Sequence, residues 1–202
     1  MWVYLVSGAV FGLAAGAQPG PFLAYLAALT LKHGLRRSLP AVLAPLLSDG
    51  LIVAVTLLIL THVPSSFIRV LHLLGGAFLL YLAWEIWQSW QRYDPEAVSA
   101  SRVTGLLKAM AVNLLNPNPY LGWSLVLGPL VLKGWHQNPR YGAAVVAGFY
   151  FALMASTIGV LLLFEFARSR GTRAIRVLMA ASAVALAVLG VYEFWSGLWG
   201  NM

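Results

Sequence analysis

Six apolar runs, each long enough to cross a bilayer, follow one another with only short polar connections. They cover approximately Val3–Leu31, Leu39–Leu60, Phe67–Trp87, Leu106–Leu132, Gly142–Phe164 and Ala174–Trp195. A spanning helix needs about 20 apolar residues, and hydrocarbon offers no partner to a backbone amide, so such runs must be helical. The chain has 202 residues, which six spans nearly exhaust. Only 9% of residues are charged and 60% are apolar, against about 25% charged in soluble domains. That excludes a soluble enzyme, an ordinary secreted domain and a disordered tail. The expected fold is an all-α integral membrane protein of six transmembrane helices in a single domain, 1–202.

Charge placement carries the orientation. The net charge is +7, but the basic residues lie in connections and form no stripe on a soluble face, which argues against nucleic acid as a partner. Lys32, Arg36 and Arg37 follow span one. Arg92, Arg102 and Lys108 surround the central connection, and Arg168, Arg170, Arg173 and Arg176 follow span five. Only Arg69, Lys133 and Arg140 lie on the other side. The positive-inside rule then places both termini outside the cytoplasm, in a multi-pass protein of the cytoplasmic (inner) membrane. Trp2, Tyr4, Tyr192, Trp195 and Trp199 fit an outer aromatic belt; Trp87, Trp90 and Tyr93 fit an inner one. The N-terminus lacks a basic segment and its apolar run exceeds a signal peptide's, so it reads as a retained helix. With no cysteine, thiol chemistry and disulfides are excluded.

Three spans make an odd-numbered unit, so a duplicated unit must insert upside down. An offset of 98 relates Gln18 to Asn116, Pro19 to Pro117, Pro21 to Pro119 and Gly50 to Gly148. The expected plan is two inverted three-helix repeats, about 1–91 and 105–202, joined by a cytoplasmic linker of about 92–104. Spans one and four are then broken by proline at Gln18-Pro19-Gly20-Pro21 and Asn116-Pro117-Asn118-Pro119. Each proline lacks an N–H and clashes with the carbonyl four residues earlier. Pro19 and Pro21 free the carbonyls of Ala15 and Ala17; Pro117 and Pro119 free those of Asn113 and Leu115. Half-helices starting near Pro21 and Pro119 would aim positive dipole ends at the midplane. Such breaks can hold a zwitterion, with Gln18, Asn113, Asn116 and Asn118 as polar contacts. The plainer alternative is a pair of kinks that only shape packing.

Asp49 lies near the middle of span two, deeper than any other acid. A charge there costs about 2.5–3.5 kcal/mol on the insertion scale, which makes Asp49 a candidate proton carrier or cation anchor. Glu85, Glu165 and Glu193 fall toward span ends. His33, His62, His72 and His136 show no ligand spacing. Gly148, Ala152, Ala155 and Gly159 put small residues on one face of span five, a packing signal. No motif of an intramembrane enzyme or of a nucleotide site is present, and no cofactor is called for.

Taken together, Pro19-Gly20-Pro21 in span one, Asp49 in span two, Gly76-Ala77-Phe78-Leu79-Leu80-Tyr81 in span three and Asn113-Leu114-Leu115-Asn116-Pro117 in span four match family motifs. By them the chain resembles the lysine-exporter (LysE/RhtB-type) family of prokaryotic inner-membrane exporters. Ser48 stands where that family usually has Gly, as do Ala44-Pro45. The resemblance implies proton-driven efflux of amino acids or related small metabolites by a secondary active transporter. Its partners would be a small-molecule substrate, protons, lipid and, as an allowed assembly, a second copy in a homodimer. The substrate would sit between spans one and four, held at Gln18–Pro21, Asn113 and Asn116–Pro119, with Asp49 exchanging protons. The alternatives are a metal or other ion exporter on the same scaffold, suggested by Asp49 and the outer histidines, and a membrane scaffold subunit that transports nothing.

Overall fold

The computed structural model describes residues 1–58, 65–91 and 102–199. Most of the expected linker, with Arg92 and Tyr93, lies outside the described residues, as does His62. Ten α-helices and one π-helical segment make up the described chain: α1 (Trp2–Ala17), α2 (Pro21–His33), α3 (Leu35–Val42), α4 (Ala44–Leu58), α5 (Ser65–Gln91), α6 (Arg102–Leu115), α7 (Pro117–Gly122), the π segment (Trp123–Leu127), α8 (Gly128–Gln137), α9 (Pro139–Arg168) and α10 (Thr172–Trp199). No strand occurs among the described residues.

Four stretches are long and apolar enough to cross a membrane unbroken: Leu35–Thr56, Arg69–Gln88, Pro139–Arg168 and Ile175–Trp199. The shorter apolar helices Trp2–Ala17 and Gly105–Leu115 belong to the first and fourth apolar runs. Those two runs are interrupted at the expected prolines, which cut each into shorter pieces. Large apolar side chains stay exposed on the outward faces, among them Val6, Val10, Phe151, Leu163, Val184 and Val188. A surface of that kind is stable against lipid and not against water. Trp2, Tyr192, Trp195 and Trp199 are exposed at the ends expected for a belt.

Two seams hold the helices together. α1 packs along α9, and α5 along α10. In the first seam Gly8, Gly12 and Gly16 lie one turn apart and bring α1 onto the α9 backbone. A Cβ added at Gly12 would stand 2.2 Å from the Phe149 carbonyl oxygen. Without a hydrophobic drive inside lipid, such close van der Waals approach is what joins helices. The small-residue face expected on span five is only half used: Gly148 and Ala152 are buried in this seam, whereas Ala155 and Gly159 are exposed. The closest approach in this seam comes instead from the glycines of α1.

Span one turns into span two at one residue. Gly34 adopts φ 81° and caps α2 through its N–H on the Thr30 carbonyl at 2.7 Å. Glu165 of α9 accepts the Leu35 N–H at 2.9 Å and so ties down the start of α3. Span two therefore begins at Leu35, earlier than expected, and bends at Leu43. Its halves α3 and α4 both pack on α6. The buried centre around Leu26, Leu82, Val112 and Leu186 adjoins a second cluster with Ile52, Tyr120, Trp123 and Phe149, and the site lies against the latter.

Candidate functional site

Asp49 is 3% exposed and receives three hydrogen bonds. Asn113 Nδ2 donates to Oδ1 at 2.7 Å, while Trp123 Nε1 at 3.3 Å and the Tyr150 hydroxyl at 3.0 Å donate to Oδ2. Asn113 Nδ2 also donates to Ser48 Oγ at 2.8 Å, and Ser48 in turn donates to the Ala44 carbonyl at 2.7 Å. All three donors to the acid are neutral, and no cation pairs with Asp49 among the described residues. A carboxylate offers about four lone-pair positions. Three are occupied; the fourth is on Oδ1.

The donors come from three separate elements, and the sequence explains why Trp123 is among them. Pro129 has no N–H and would clash with the Leu125 carbonyl in a regular helix. The ladder instead widens, with the Gly128 N–H reaching the Trp123 carbonyl five residues back. Single π turns of this kind are frequent at functional sites. Here the π segment starts at the residue whose indole meets Asp49. Trp123 and Tyr150 were not among the expected site residues: in sequence each is an aromatic in an apolar run.

A cavity of about 120 Å³ lies beside the acid. Its polar lining includes Gln18, Asp49, Asn113, Asn116 and Asn118, and Phe11, Trp123 and Phe149 supply its aromatic wall. For scale, an apolar cavity of about 150 Å³ holds one benzene. Gly20 and Pro119 also border this cavity. Of the expected residues, Pro19 instead faces an apolar groove between α2, α9 and α10, Pro21 lines a smaller space behind the breaks, and Pro117 is buried as the first residue of α7.

The breaks differ from expectation in how they are satisfied. The Ala15 carbonyl accepts the Gln18 N–H at 3.4 Å, and the Asn113 carbonyl accepts the Asn116 N–H at 3.3 Å. These are the same tight turn at positions 98 apart. One residue on, Gly16 O accepts from Thr157 Oγ1 at 3.2 Å and Leu114 O from the Tyr120 hydroxyl at 2.9 Å. Ala15 and Asn113 carbonyls are therefore not free, because the residue just before each proline turns back to meet them. The second half of span four also starts at Pro117, two residues before the expected Pro119. Its first N–H groups are spent: Pro117 and Pro119 have none, and Asn118 N–H is capped by Asn116 Oδ1 at 3.0 Å. An open N-terminus remains only in span one, where Gly20 precedes Pro21 without a side-chain cap. Gly20 is fully extended (φ −177°, ψ −178°), a conformation any residue adopts, so it serves there as a straight connector.

Two further acids, Glu85 and Glu165, tie helices together. Glu85 pairs with Lys108, and Glu165 pairs with Arg168 at 3.3 Å besides capping α3. Among the described residues no three of His, Asp and Glu come together as a metal site would need.

A family model for the LysE type translocator matches residues 13–195, and so contains both breaks, Asp49 and its three donors. The chain belongs to the LysE type translocator family. Neither the curated proteins nor the solved structures contain a match. Membership makes this translocator a transporter of small molecules in a membrane. Its buried acid, aromatic wall and broken helices all face one cavity.

Proposed function

We propose that this translocator is a secondary active exporter of amino acids or related small metabolites across the cytoplasmic membrane, working by proton antiport at Asp49. The observation that carries the reading is the acid itself, buried beside the cavity with three neutral donors and one open lone-pair position. Ionised, Asp49 can take the ammonium group of a substrate. Protonated, it gives that position to its own proton, so substrate and proton exclude each other at one oxygen. Tyr150 can adapt to either state, since its hydroxyl both donates and accepts; the Trp123 indole only donates.

In this reading Gln18, Gly20, Asn113, Asn116, Asn118 and Pro119 bind substrate, with Pro19, Pro21 and Pro117 setting the shape of the breaks. A substrate carboxylate belongs at the start of α2, the uncapped helix end. Two inverted three-helix repeats are supported by the matching turns at Gln18 and Asn116, and by α1 packing on span five while α6 packs on span two. Rocking of one repeat against the other would expose the cavity alternately. The basic connections support an arrangement with both termini outside.

The test is transport by the purified protein in proteoliposomes, with radiolabelled amino acids and an imposed pH gradient. Asp49→Asn is expected to abolish gradient-driven flux while leaving folded protein. Full gradient-driven flux in that variant would overturn the coupling role.

A further inference from the structure

We infer that Glu193, paired with His72, is a second proton-binding site, separated from Asp49 by Asn116. The inference rests on the proton-antiport reading above and deepens it.

Glu193 falls near the end of span six, where a carboxylate would be expected to reach the interface. It does not. It is 7% exposed, and its Oε2 lies 2.5 Å from His72 Nδ1 of α5. Glu193 also lines a space of about 10 Å³ with Pro21, Gly75, Leu115 and Asn116. That is about one water in size. Pro21 and Asn116 are the start and the cap of the two second half-helices, so this acid stands directly behind both breaks. Asn116 borders the Asp49 cavity as well. Asn116 thus lines both the space beside Glu193 and the cavity beside Asp49, with one acid on the α4 side and the other on the α10 side.

Packing alone does not call for this pair. α5 and α10 are already joined at backbone distance: a Cβ on Gly76 would stand 2.6 Å from the Phe194 nitrogen and 2.8 Å from the Gly190 oxygen. A buried ion pair is often no more stabilising than apolar residues of the same size, and ionisable groups inside a membrane mark ion or substrate paths by default. The surroundings restrict the chemistry to the pair. On α5 the neighbouring charge is Arg69, one turn away, whose guanidinium is committed to the Gly197 and Leu198 carbonyls of α10. α2 and α6 present Pro21, Val112 and Leu115 to the space, and no residue of α9 lines it.

The proton accounting is simple. With one proton the pair is imidazolium and carboxylate, or imidazole and carboxylic acid, and is neutral as a whole. Releasing that proton leaves neutral imidazole and a carboxylate, beside the space that Asn116 also lines. A proton arriving from the side where His72 lies is held by the pair, then passes through water at Asn116 toward the cavity and Asp49.

The test uses the full chain in proteoliposomes with a radiolabelled amino-acid mixture and a pH-sensitive dye inside. Gradient-driven flux is compared with exchange of labelled for unlabelled amino acids at equal pH. Glu193→Gln and His72→Gln are each expected to lose at least tenfold of gradient-driven flux and dye response while keeping exchange within about twofold. Unchanged gradient-driven flux, or equal loss of both activities, overturns the inference. If Asp49→Asn uncouples transport and Glu193→Gln does not, this inference alone fails. If the unmodified protein exchanges amino acids without responding to the gradient, the antiport reading fails with it. Should either variant not insert, Glu193→Asp and His72→Asn take its place under the same criteria; if no amino acid moves, the antiport reading and this inference fail together.

Discussion

Tyr150 donates its hydroxyl to Asp49 Oδ2 at 3.0 Å, joining two residues that lie 101 positions apart in the chain. Its hydroxyl can reverse the hydrogen bond in place when the acid takes a proton, which the Trp123 indole cannot. A hydrogen bond to a charged group contributes about 1.5–3 kcal/mol. Tyr150→Phe is therefore expected to slow gradient-driven flux about tenfold or more, with exchange less affected. Trp123→Phe leaves Tyr150 in place and should cost less. Flux assays on the two variants side by side check the order.

Asn113 holds Asp49 and Ser48 with the two hydrogens of one amide nitrogen. Asn113→Leu keeps the approximate volume but removes both bonds, leaving Asp49 Oδ1 buried without a donor. The expected cost is about 1–3 kcal/mol, seen as a lower melting temperature in detergent. Asn113→Ser, which retains one donor, should fall between the variant and the native protein.

Glycine substitutions separate the seam from the break. Gly12→Ala drives a Cβ to 2.2 Å from the Phe149 carbonyl oxygen, and overpacking of this kind costs about 1–3 kcal/mol. At Gly20 an added Cβ meets nothing within 4 Å, and the backbone there is extended. Gly20→Ala is expected to fold as well as the native chain. Melting curves of both variants, and their yield as folded protein, check the contrast.

His33 lies beyond the apolar run of span one, at the basic end of the bundle. Burial, then the charges of Lys32, Arg37 and Arg168, push its imidazole from 6.5 down to about 4; its Nδ1 is buried without a hydrogen-bond partner. Between those values the unfolded chain binds a proton that the folded chain does not, so stability rises with pH across that window and falls on acidification. The melting temperature in detergent should drop from pH 6.5 toward pH 4, and His33→Gln should flatten the slope.

The parts of this architecture legible in sequence are those written in one residue type at one depth. Prolines inside apolar runs mark the breaks because no neighbour can replace their missing N–H, and Asp49 is conspicuous because charge is scarce in spans. What stayed hidden depends on partners far along the chain. Trp123 and Tyr150 carry polar tips that a belt aromatic would also carry. The Ala15 and Asn113 carbonyls are met by local turns that proline content does not reveal. His72 and Glu193 each look interfacial alone, and become a part-buried pair only when α5 and α10 close on their glycines. The start of α7 is hidden for a related reason: Asn116 has the right chemistry for a ligand contact and equally for a helix cap, and its oxygen makes the cap.

The two halves of span one have different neighbours: α1 lies along α9, while α2 also packs on α10, α3 and α6. Gln18, Pro19 and Gly20 therefore work as a joint between two separately anchored struts. A tilt of one strut against the other is taken up between the Gln18 N–H, which closes α1 on the Ala15 carbonyl, and the Gly20 carbonyl, which opens α2 on the Ala24 N–H, so neither helix has to unwind for the angle between them to change.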